Sequence, residues 1–249
     1  MVNVNGGSYV KTDKEYRLSE RFEVAYNLIH DALKQLVDEE EDRFTVLLRL
    51  GESRHHLIHR YYEDLKQYGK LRNAIVHEKR QPGLYIAEPN EEVVKHIEKI
   101  ATIFSKPVTG LTIATKDVKF FEQSQPLKEV LEAIQQHGYS QYPIYDEKKY
   151  VGLLKTTHIL SWMSNTFEQG NIQIVDQTVG DLIPYMKEAP IEFVSKHANI
   201  FEVEAIFEEK HRRKIDLEAV IVNENGKENE WPLGLITPWD LIEIDYTID

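Results

Sequence analysis

The sequence predicts an α+β protein, in which an all-α helical bundle is followed by two β-α-β-β-α repeats. Up to about residue 105, apolar residues recur at spacings of three and four, which is typical of amphipathic helices. Beyond Pro107, short apolar runs alternate with helical stretches, and the same order of elements occurs twice. A repeat of this kind predicts two copies of one structural unit in the C-terminal part.

The composition excludes several classes of protein. Of the 249 residues, 41% are hydrophobic and 10% are aromatic, which is too many for a disordered chain. The chain contains no cysteine, and this excludes a disulfide scaffold, an iron–sulfur cluster, cysteine-ligated zinc and a thiol nucleophile. The formal net charge of -12 argues against a protein that coats nucleic acids.

The chain lacks the sequence signals of membrane insertion and of secretion. No run approaches the ~18 apolar residues that a membrane span requires, and the N-terminus lacks a charged region followed by an apolar one. We therefore expect a cytoplasmic protein that does not contact a membrane. Residues 1–18 are predicted to be a flexible leader, residues 19–105 the helical bundle and residues 106–249 the repeat region.

The helical bundle is predicted to contain four to five helices. Ser19 is a plausible N-cap of the first helix, Gly69 is expected to interrupt a later one, and residues 81–83 read as a turn. The last helix is expected to begin near Pro89. The first helix has the clearest apolar face, formed by Phe22, Ala25, Ile29, Ala32, Leu33 and Leu36.

The two repeats correspond element by element. In the first copy a helix at 126–134 precedes strands at 142–146 and 150–154 and a helix at 156–163. The second copy has a helix at 199–207, strands at 219–223 and 232–236, and the start of a helix at 240–242. Its hairpin is longer and contains the turn signal Asn225-Gly226.

The repeat order and one local motif resemble the CBS domain pair, named after cystathionine β-synthase. Residues 234–241, GLITPWDL, match the family pattern G-apolar-apolar-[S/T]-x-x-D-apolar. Thr237 and Asp240 fall at a strand-to-helix turn, where free helix N–H groups favour an anion. Repeat one covers about residues 106–165 and repeat two about residues 178–249. On the residues alone, Thr237 and Asp240 are equally able to act only as a helix cap.

The resemblance implies a regulatory ligand of the adenosine type, either an adenine nucleotide or S-adenosylmethionine. It implies that Asp240 grips the ribose, that Thr237 lies beside it, and that Ile191 and Val220 help to enclose the adenine ring. For the last two, a place in the core is the plainer interpretation. CBS pairs commonly stack, so the resemblance also implies a homodimer.

The first copy departs from the family pattern at the matching turn. Lys155 stands where Thr is expected and His158 where Asp is expected, and a neutral imidazole cannot accept two ribose hydroxyls as a carboxylate does. We therefore expect no ribose grip in repeat one. Residues 212–214 (RRK) could approach a phosphate, or could simply be cations favoured at a helix C-terminus.

The helical part carries a pattern that resembles the HEPN domains, many of which are metal-independent endoribonucleases. Arg72 and His77 enclose four residues, and Asn73 is the polar residue after the arginine. The resemblance implies that the 2′-hydroxyl of RNA attacks its own phosphodiester, with His77 as general base or acid. Arg72 would stabilise charge on the phosphoryl oxygens, and Asn73 would orient either group.

The alternative for this motif is structural. Arg72 could pair with Glu63 or Glu78, and the helical domain could only dimerise or dock a partner. The charge pattern suits RNA locally, because residues 49–80 hold eight basic and four acidic residues, a net of +4.

A metal site is not expected. His55 and His59 share a helix face, but the sequence lacks the Glu of the H-E-x-x-H pattern, and flanking arginines disfavour a divalent cation. Taken together, the sequence predicts a CBS-pair regulatory protein that binds an adenosine-type nucleotide and controls a HEPN-like endoribonuclease. The alternative is a non-enzymatic nucleotide sensor.

Overall fold

The structure is a computed structural model that describes residues 17–37, 39–77, 87–167 and 174–247. The chain divides into two compact units between Lys106 and Pro107. The predicted leader lies almost entirely outside the described residues, and so does the predicted turn at 81–83.

The first unit is helical throughout its regular elements, as the apolar periodicity predicts. Its core is formed by the buried faces of these helices, with Phe22, Ile29, Leu33 and Leu65 fully buried. The helices are α1 (Leu18–Val37), α2 (Phe44–Glu52), α3 (His56–Arg60), α4 (Tyr62–His77) and α5 (Glu91–Ser105).

Gly69 does not interrupt its helix; the break comes at Tyr61, between α3 and α4. A Cβ atom at Gly69 would lie 3.5 Å from the ring of Phe44. This is an ordinary van der Waals distance, so Gly69 takes part in the packing of α4 against α2 while α4 continues through it. Tyr61 is buried and its ring contacts Phe104 edge to face, with centroids 6.4 Å apart, so packing holds the break where it is.

Ser19 is not an N-cap, because α1 begins one residue earlier, at Leu18. Ser19 is fully buried, and its hydroxyl donates a hydrogen bond to the backbone oxygen of Ala87 (3.2 Å). At α5 the cap is Asn90, whose side chain accepts from the backbone N–H of Glu92 (2.8 Å). The start predicted near Pro89 therefore agrees closely with the structure.

The second unit contains the repeated elements that the sequence predicts, together with additional short segments. Each repeat has a three-stranded sheet in which the first strand is parallel to the second and the second antiparallel to the third. Repeat one contains α6 (Gly110–Ile113), β1 (Phe121–Glu122), α7 (Leu127–His137), β2 (Gln141–Asp146), β3 (Lys149–Lys155) and α8 (Thr156–Phe167). Repeat two contains a 3-10 helix (Val179–Tyr185), β4 (Ile191–Ser195), α9 (Ile200–Arg212), β5 (Ala219–Asn223), β6 (Gly234–Ile236) and α10 (Pro238–Thr247).

The two repeats exchange the segments that precede their first strands. Thr115 of repeat one forms a two-way backbone bridge with Leu235 of β6, with N···O distances of 3.0 and 3.1 Å. In return, the backbone N–H of Val179 donates to the oxygen of Gln125 (2.9 Å). Each lead segment therefore completes the other repeat's core, and neither repeat is a separate packing unit.

The long hairpin of repeat two is organised by Asn223. This side chain is buried, accepts from the N–H groups of Gly226 (2.6 Å) and Lys227 (3.2 Å), and donates to the Lys227 oxygen (2.6 Å). Gly226 has φ = +78°, and a Cβ there would approach the backbone nitrogen of Ser195 to 3.0 Å. The turn predicted at Asn225-Gly226 thus depends on glycine for both conformation and space.

Candidate functional site

The turn from β6 into α10 brings Thr237 and Asp240 into direct contact. Asp240 Oδ2 accepts hydrogen bonds from the backbone N–H of Thr237 (2.6 Å) and from its hydroxyl Oγ1 (2.8 Å). Both bonds run from Thr237 to the carboxylate, and they hold it at the N-terminal end of α10. The second oxygen, Oδ1, makes no hydrogen bond within the described part of the chain. Capping therefore uses one carboxylate oxygen and leaves the other available to a ligand.

Two adjoining cavities open at this turn. The smaller has a volume of about 260 Å³ and contains Asp240 in its wall, whereas the larger has a volume of about 620 Å³. Both are lined by residues of both repeats, and they share Ser140, Gln141 and Thr237. Thr237 thus stands at the junction of the two cavities.

The smaller cavity has mainly neutral walls. Val118, Pro143 and Leu235 contribute apolar surface, and Tyr139 contributes an aromatic ring. Lys119 also lines this cavity, with its ammonium group 2.9 Å from the carboxylate of Asp117. The cavity wall therefore combines apolar, aromatic and polar side chains.

The larger cavity lies where two helices begin. Thr156 and Thr157 open α8, and Pro238 opens α10, so both helices present the positive ends of their dipoles to this space. Lys155 is also in the wall, but its ammonium group forms an ion pair with Glu218 of repeat two. Asp216 adds a further carboxylate. The cavity therefore combines anion-attracting helix ends with an acidic rim.

The equivalent turn in repeat one is built differently. His158 is buried, and its Nδ1 accepts a hydrogen bond from the backbone N–H of Lys155 (3.2 Å). Burial, followed by the positive charges of Lys155 and Lys187, holds the pKa of His158 below its usual range. The imidazole is therefore neutral, and its acceptor nitrogen is used in the cap.

Ile191 and Val220 lie away from both cavities. Val220 is fully buried in the apolar core of repeat two. Ile191, at the start of β4, packs against the cluster between the two sheets, whose buried members include Leu153 and Ile221. The residues that line the cavities without having been singled out from the sequence include Lys119, Tyr139, Ser140 and Gln141.

The basic run at 212–214 also lies outside the cavity walls. Arg213 forms an ion pair with Glu209 (2.6 Å), one helical turn before it, and Arg212 Nε donates to the backbone oxygen of Glu208 (3.4 Å). These contacts fit cations placed at the C-terminal end of α9.

The three residues of the HEPN-like pattern lie on α4. Asn73 is exposed, whereas the guanidinium carbon of Arg72 lies 5.7 Å from the ring centre of Tyr26. Arg72 Nε is buried and makes no hydrogen bond within the described residues. Glu63 pairs instead with Lys66 (3.0 Å), while Glu78 and the side chain of His77 lie outside the described residues. The structure therefore gives Arg72 a packing contact and leaves the geometry of the three residues untested.

Within residues 17–37, 39–77, 87–167 and 174–247, no three His, Asp or Glu residues are grouped so that they could hold a metal ion. Among the helices that the structure describes, none has the length and apolar character needed to cross a membrane.

The fold and the α10 turn agree with a family match. Residues 110–165 and 179–246 each match the CBS domain. The C-terminal part of this protein is therefore a CBS domain pair. The matched residues lie outside the helical unit, so the likeness of that unit to HEPN domains rests on the sequence pattern and its helical content.

Several solved structures are similar to this chain at low identity. One is a CBS domain-containing protein of unknown function from Kribbella flavida, with 18% identity, a TM-score of 0.42, and coverage of 56% of this chain and 99% of that one. Another is CBSX2 in complex with AMP, with 17% identity, a TM-score of 0.39, and coverage of 57% and 98%. A third is the CBS domain of a bacterial CNNM/CorC family Mg2+ transporter in complex with ATP, with 20% identity, a TM-score of 0.40, and coverage of 60% and 95%. A comparison with curated proteins found no match.

Proposed function

We propose that the CBS pair binds one adenosine-type nucleotide per chain in the two adjoining cavities at the start of α10, and that binding regulates the protein. The observation that carries the proposal is the placement of Asp240. Its carboxylate is held by Thr237, has one oxygen without a hydrogen bond within the described residues, and lines the smaller cavity. Thr237 joins this cavity to the larger one, where two helices begin.

The residues present fit such a ligand part by part. The free oxygen of Asp240 can accept from ribose hydroxyls, since an ionised carboxylate offers only acceptors. The smaller cavity, with Tyr139 and Val118, suits the adenine ring. The larger cavity suits phosphate, because Thr156, Thr157 and the ends of α8 and α10 can supply N–H and O–H donors.

The stoichiometry follows from the difference between the repeats. In repeat two the capping group is a carboxylate with an oxygen to spare, whereas in repeat one it is His158, whose acceptor nitrogen already bonds Lys155. A neutral imidazole in that state offers one N–H donor and no further acceptor to a ribose. One site per chain is the result.

Calorimetry with AMP, ATP, adenosine and S-adenosylmethionine tests this proposal. We expect saturable binding of at least one of these compounds with one site per chain. No binding of any of them would leave Thr237 and Asp240 as a helix cap alone. Two equal sites would contradict the role assigned to His158.

We propose that the bound nucleotide regulates the activity of the helical unit. In one form of the proposal this unit is an endoribonuclease with Arg72, Asn73 and His77 as its reactive groups; in the other it only dimerises or docks a partner. The packing of Arg72 on Tyr26 favours a structural role for that residue, so the non-enzymatic form has the better support. RNA digestion by the parent and by His77→Ala, with and without AMP, separates the two. Equal RNA turnover by parent and variant would end the nuclease hypothesis.

A further inference from the structure

The face formed by α1 and α5 carries an apolar groove of about 520 Å³. Val24 and Leu28, one turn apart on α1, line this groove and are 60% and 44% exposed; we call this exposed pair the ridge. Ala25 and Ala101 form the buried floor, each 2% exposed. Two large aliphatic side chains exposed in succession beside a cavity mark a surface that can be covered by another molecule.

The polar residues of this groove do not oppose burial. Thr102 donates its hydroxyl hydrogen to the backbone oxygen of Glu98 (2.9 Å), and Ser105 donates to that of Ala101 (2.6 Å). Both hydroxyls thus have hydrogen-bond acceptors inside α5. Covering the groove would leave neither donor without a partner, which removes the main cost of burying polar side chains.

The shape of the groove suits a second copy of itself. The exposed ridge of Val24 and Leu28 on α1 lines the same groove as Ala101, Thr102 and Ser105 on α5, whose smaller side chains we call the hollow. A two-fold axis places the ridge of one copy into the hollow of the other and repeats the contact in reverse, which is the requirement for an isologous interface. Small residues in the hollow allow the facing helices to approach closely.

The charges at the ends of the groove agree with the same arrangement. Glu20 lies at one end, beside the ion pair of Arg21 and Glu98 (2.7 Å), and the exposed Lys106 lies at the other. A two-fold axis reverses the direction of the groove, so Lys106 of each copy meets the acidic end of the other. Opposite charges at the facing ends favour this antiparallel arrangement of the two grooves over a parallel arrangement.

We propose that the α1–α5 groove is the interface through which two copies of this chain dimerise, with Val24 and Leu28 as the apolar contacts and Glu20 and Lys106 as the charged ends. This interface involves the helical unit and does not depend on the nucleotide site.

The full chain can be labelled at one chosen position because it contains no cysteine. We would place a spin label at Thr102→Cys in the groove, with Gln67→Cys, exposed on α4 and outside the groove, as the matched control. Pulsed electron resonance should give a short distance between the Thr102 labels of two chains and a longer one, or none, for the Gln67 labels. Light scattering of the unlabelled parent should give the mass of a dimer.

Leu28→Glu places a charge in the ridge and should remove the short Thr102 distance or weaken dimerisation at least about tenfold. Lys106→Glu should weaken dimerisation less than Leu28→Glu does. Adding Glu20→Lys to Lys106→Glu should restore dimerisation. Circular dichroism must show unchanged helix content and melting of the variants. A monomeric parent, or a dimer whose Thr102 distance does not change in Leu28→Glu, would overturn the proposal. A double charge variant weaker than both single variants would overturn the antiparallel arrangement.

Discussion

Lys155 of the first repeat and Glu218 of the second form an ion pair across the wall of the larger cavity. Their side chains are 27% and 34% exposed, so water screens the pair only in part. The ammonium group in the wall of the larger cavity is therefore already engaged by a carboxylate. In the proposed complex, a ligand phosphate near Lys155 would compete with Glu218, whereas an uncharged nucleoside would not.

Glu218→Gln should therefore raise the affinity for AMP and leave the affinity for adenosine unchanged. A gain of up to about fivefold is expected, because a partly exposed ion pair contributes up to about 1 kcal/mol and tenfold in affinity is about 1.4 kcal/mol. Calorimetry on the parent and the variant measures the affinities for AMP and for adenosine. The control is Glu224→Gln, which breaks the ion pair with Lys196 (2.6 Å) away from both cavities. An equal change for AMP and adenosine would rule out competition for Lys155.

Asp240→Asn should separate the capping role of this residue from its binding role. The amide oxygen of Asn can still accept from Thr237, so the melting temperature should change little. The amide nitrogen that replaces the free carboxylate oxygen donates instead of accepting, so affinity for the nucleotide should fall at least about tenfold. Asp240→Ala should lose the affinity and, in addition, about 1 kcal/mol of stability.

Asp181 provides the matched control for this experiment. Its Oδ2 accepts from the backbone N–H of Thr178 (2.8 Å) and from the Thr178 hydroxyl (2.9 Å), the same arrangement as at Asp240, but it lines neither cavity. Asp181→Asn should change neither the melting temperature nor the affinity by much. Normal nucleotide affinity in Asp240→Asn would show that Asp240 is only a cap.

The part of the site that the sequence predicted is the part encoded locally. Thr237 and Asp240 are three residues apart in one turn, so their contact follows from helix capping and needs no knowledge of the remaining chain. The opposite wall, with Tyr139 and Ser140, comes from the loop between α7 and β2 and meets Thr237 only through the packing of the two repeats. The spacing of residues along the chain therefore did not predict that these residues line the same cavity as Thr237.

The same distinction applies to the fold. Apolar periodicity predicted the helices of the first unit, including the buried positions Phe22 and Ile29. It placed a break at Gly69, but the helix continues there and the break lies at Tyr61, whose ring packs against Phe104. The exchange of lead segments, in which Thr115 pairs with Leu235, depends on contacts 120 residues apart and left no local signal.

His158 should make the stability of the second unit dependent on pH. Burial lowers its pKa in the folded state relative to about 6.5 in the unfolded chain. Between these two pKa values the unfolded state binds more protons than the folded state. The contribution of neutral His158 to the free energy of unfolding is therefore fully present above about pH 6.5 and is lost as the pH falls towards the folded pKa. Protonation also removes the lone pair of Nδ1 that accepts from Lys155.

We expect the melting temperature of the parent to fall more steeply below about pH 6.5 than that of His158→Asn. The Asn oxygen can accept from the Lys155 N–H without titrating. Thermal melting at closely spaced pH values makes the comparison, and the exposed His197→Asn is the control. Parallel pH curves for the parent and His158→Asn would show that another group causes the dependence.

The last prediction compares two buried tyrosines, one whose hydroxyl has a hydrogen-bond partner within the described residues and one whose hydroxyl has none. Tyr145 is fully buried, and its hydroxyl has no hydrogen-bond partner within the described residues, whereas the hydroxyl of Tyr68 lies 2.6 Å from Nδ1 of His96. Burial raises the pKa of Tyr145, so its hydroxyl stays protonated and remains an unsatisfied donor at ordinary pH. Removing an unpaired buried hydroxyl takes away a desolvation penalty, whereas removing a paired one takes away a bond.

Tyr145→Phe should therefore leave the free energy of unfolding unchanged or raise it by up to about 1 kcal/mol, and Tyr68→Phe should lower it by about 1 kcal/mol. Because the two residues belong to different units, scanning calorimetry should assign each change to its own transition if the units melt separately. Tyr145→Ala is expected to lose about 3–5 kcal/mol through the cavity it creates, which shows that the ring and not the hydroxyl stabilises this position. A loss of more than about 1 kcal/mol in Tyr145→Phe would mean that the hydroxyl has a partner in the folded protein.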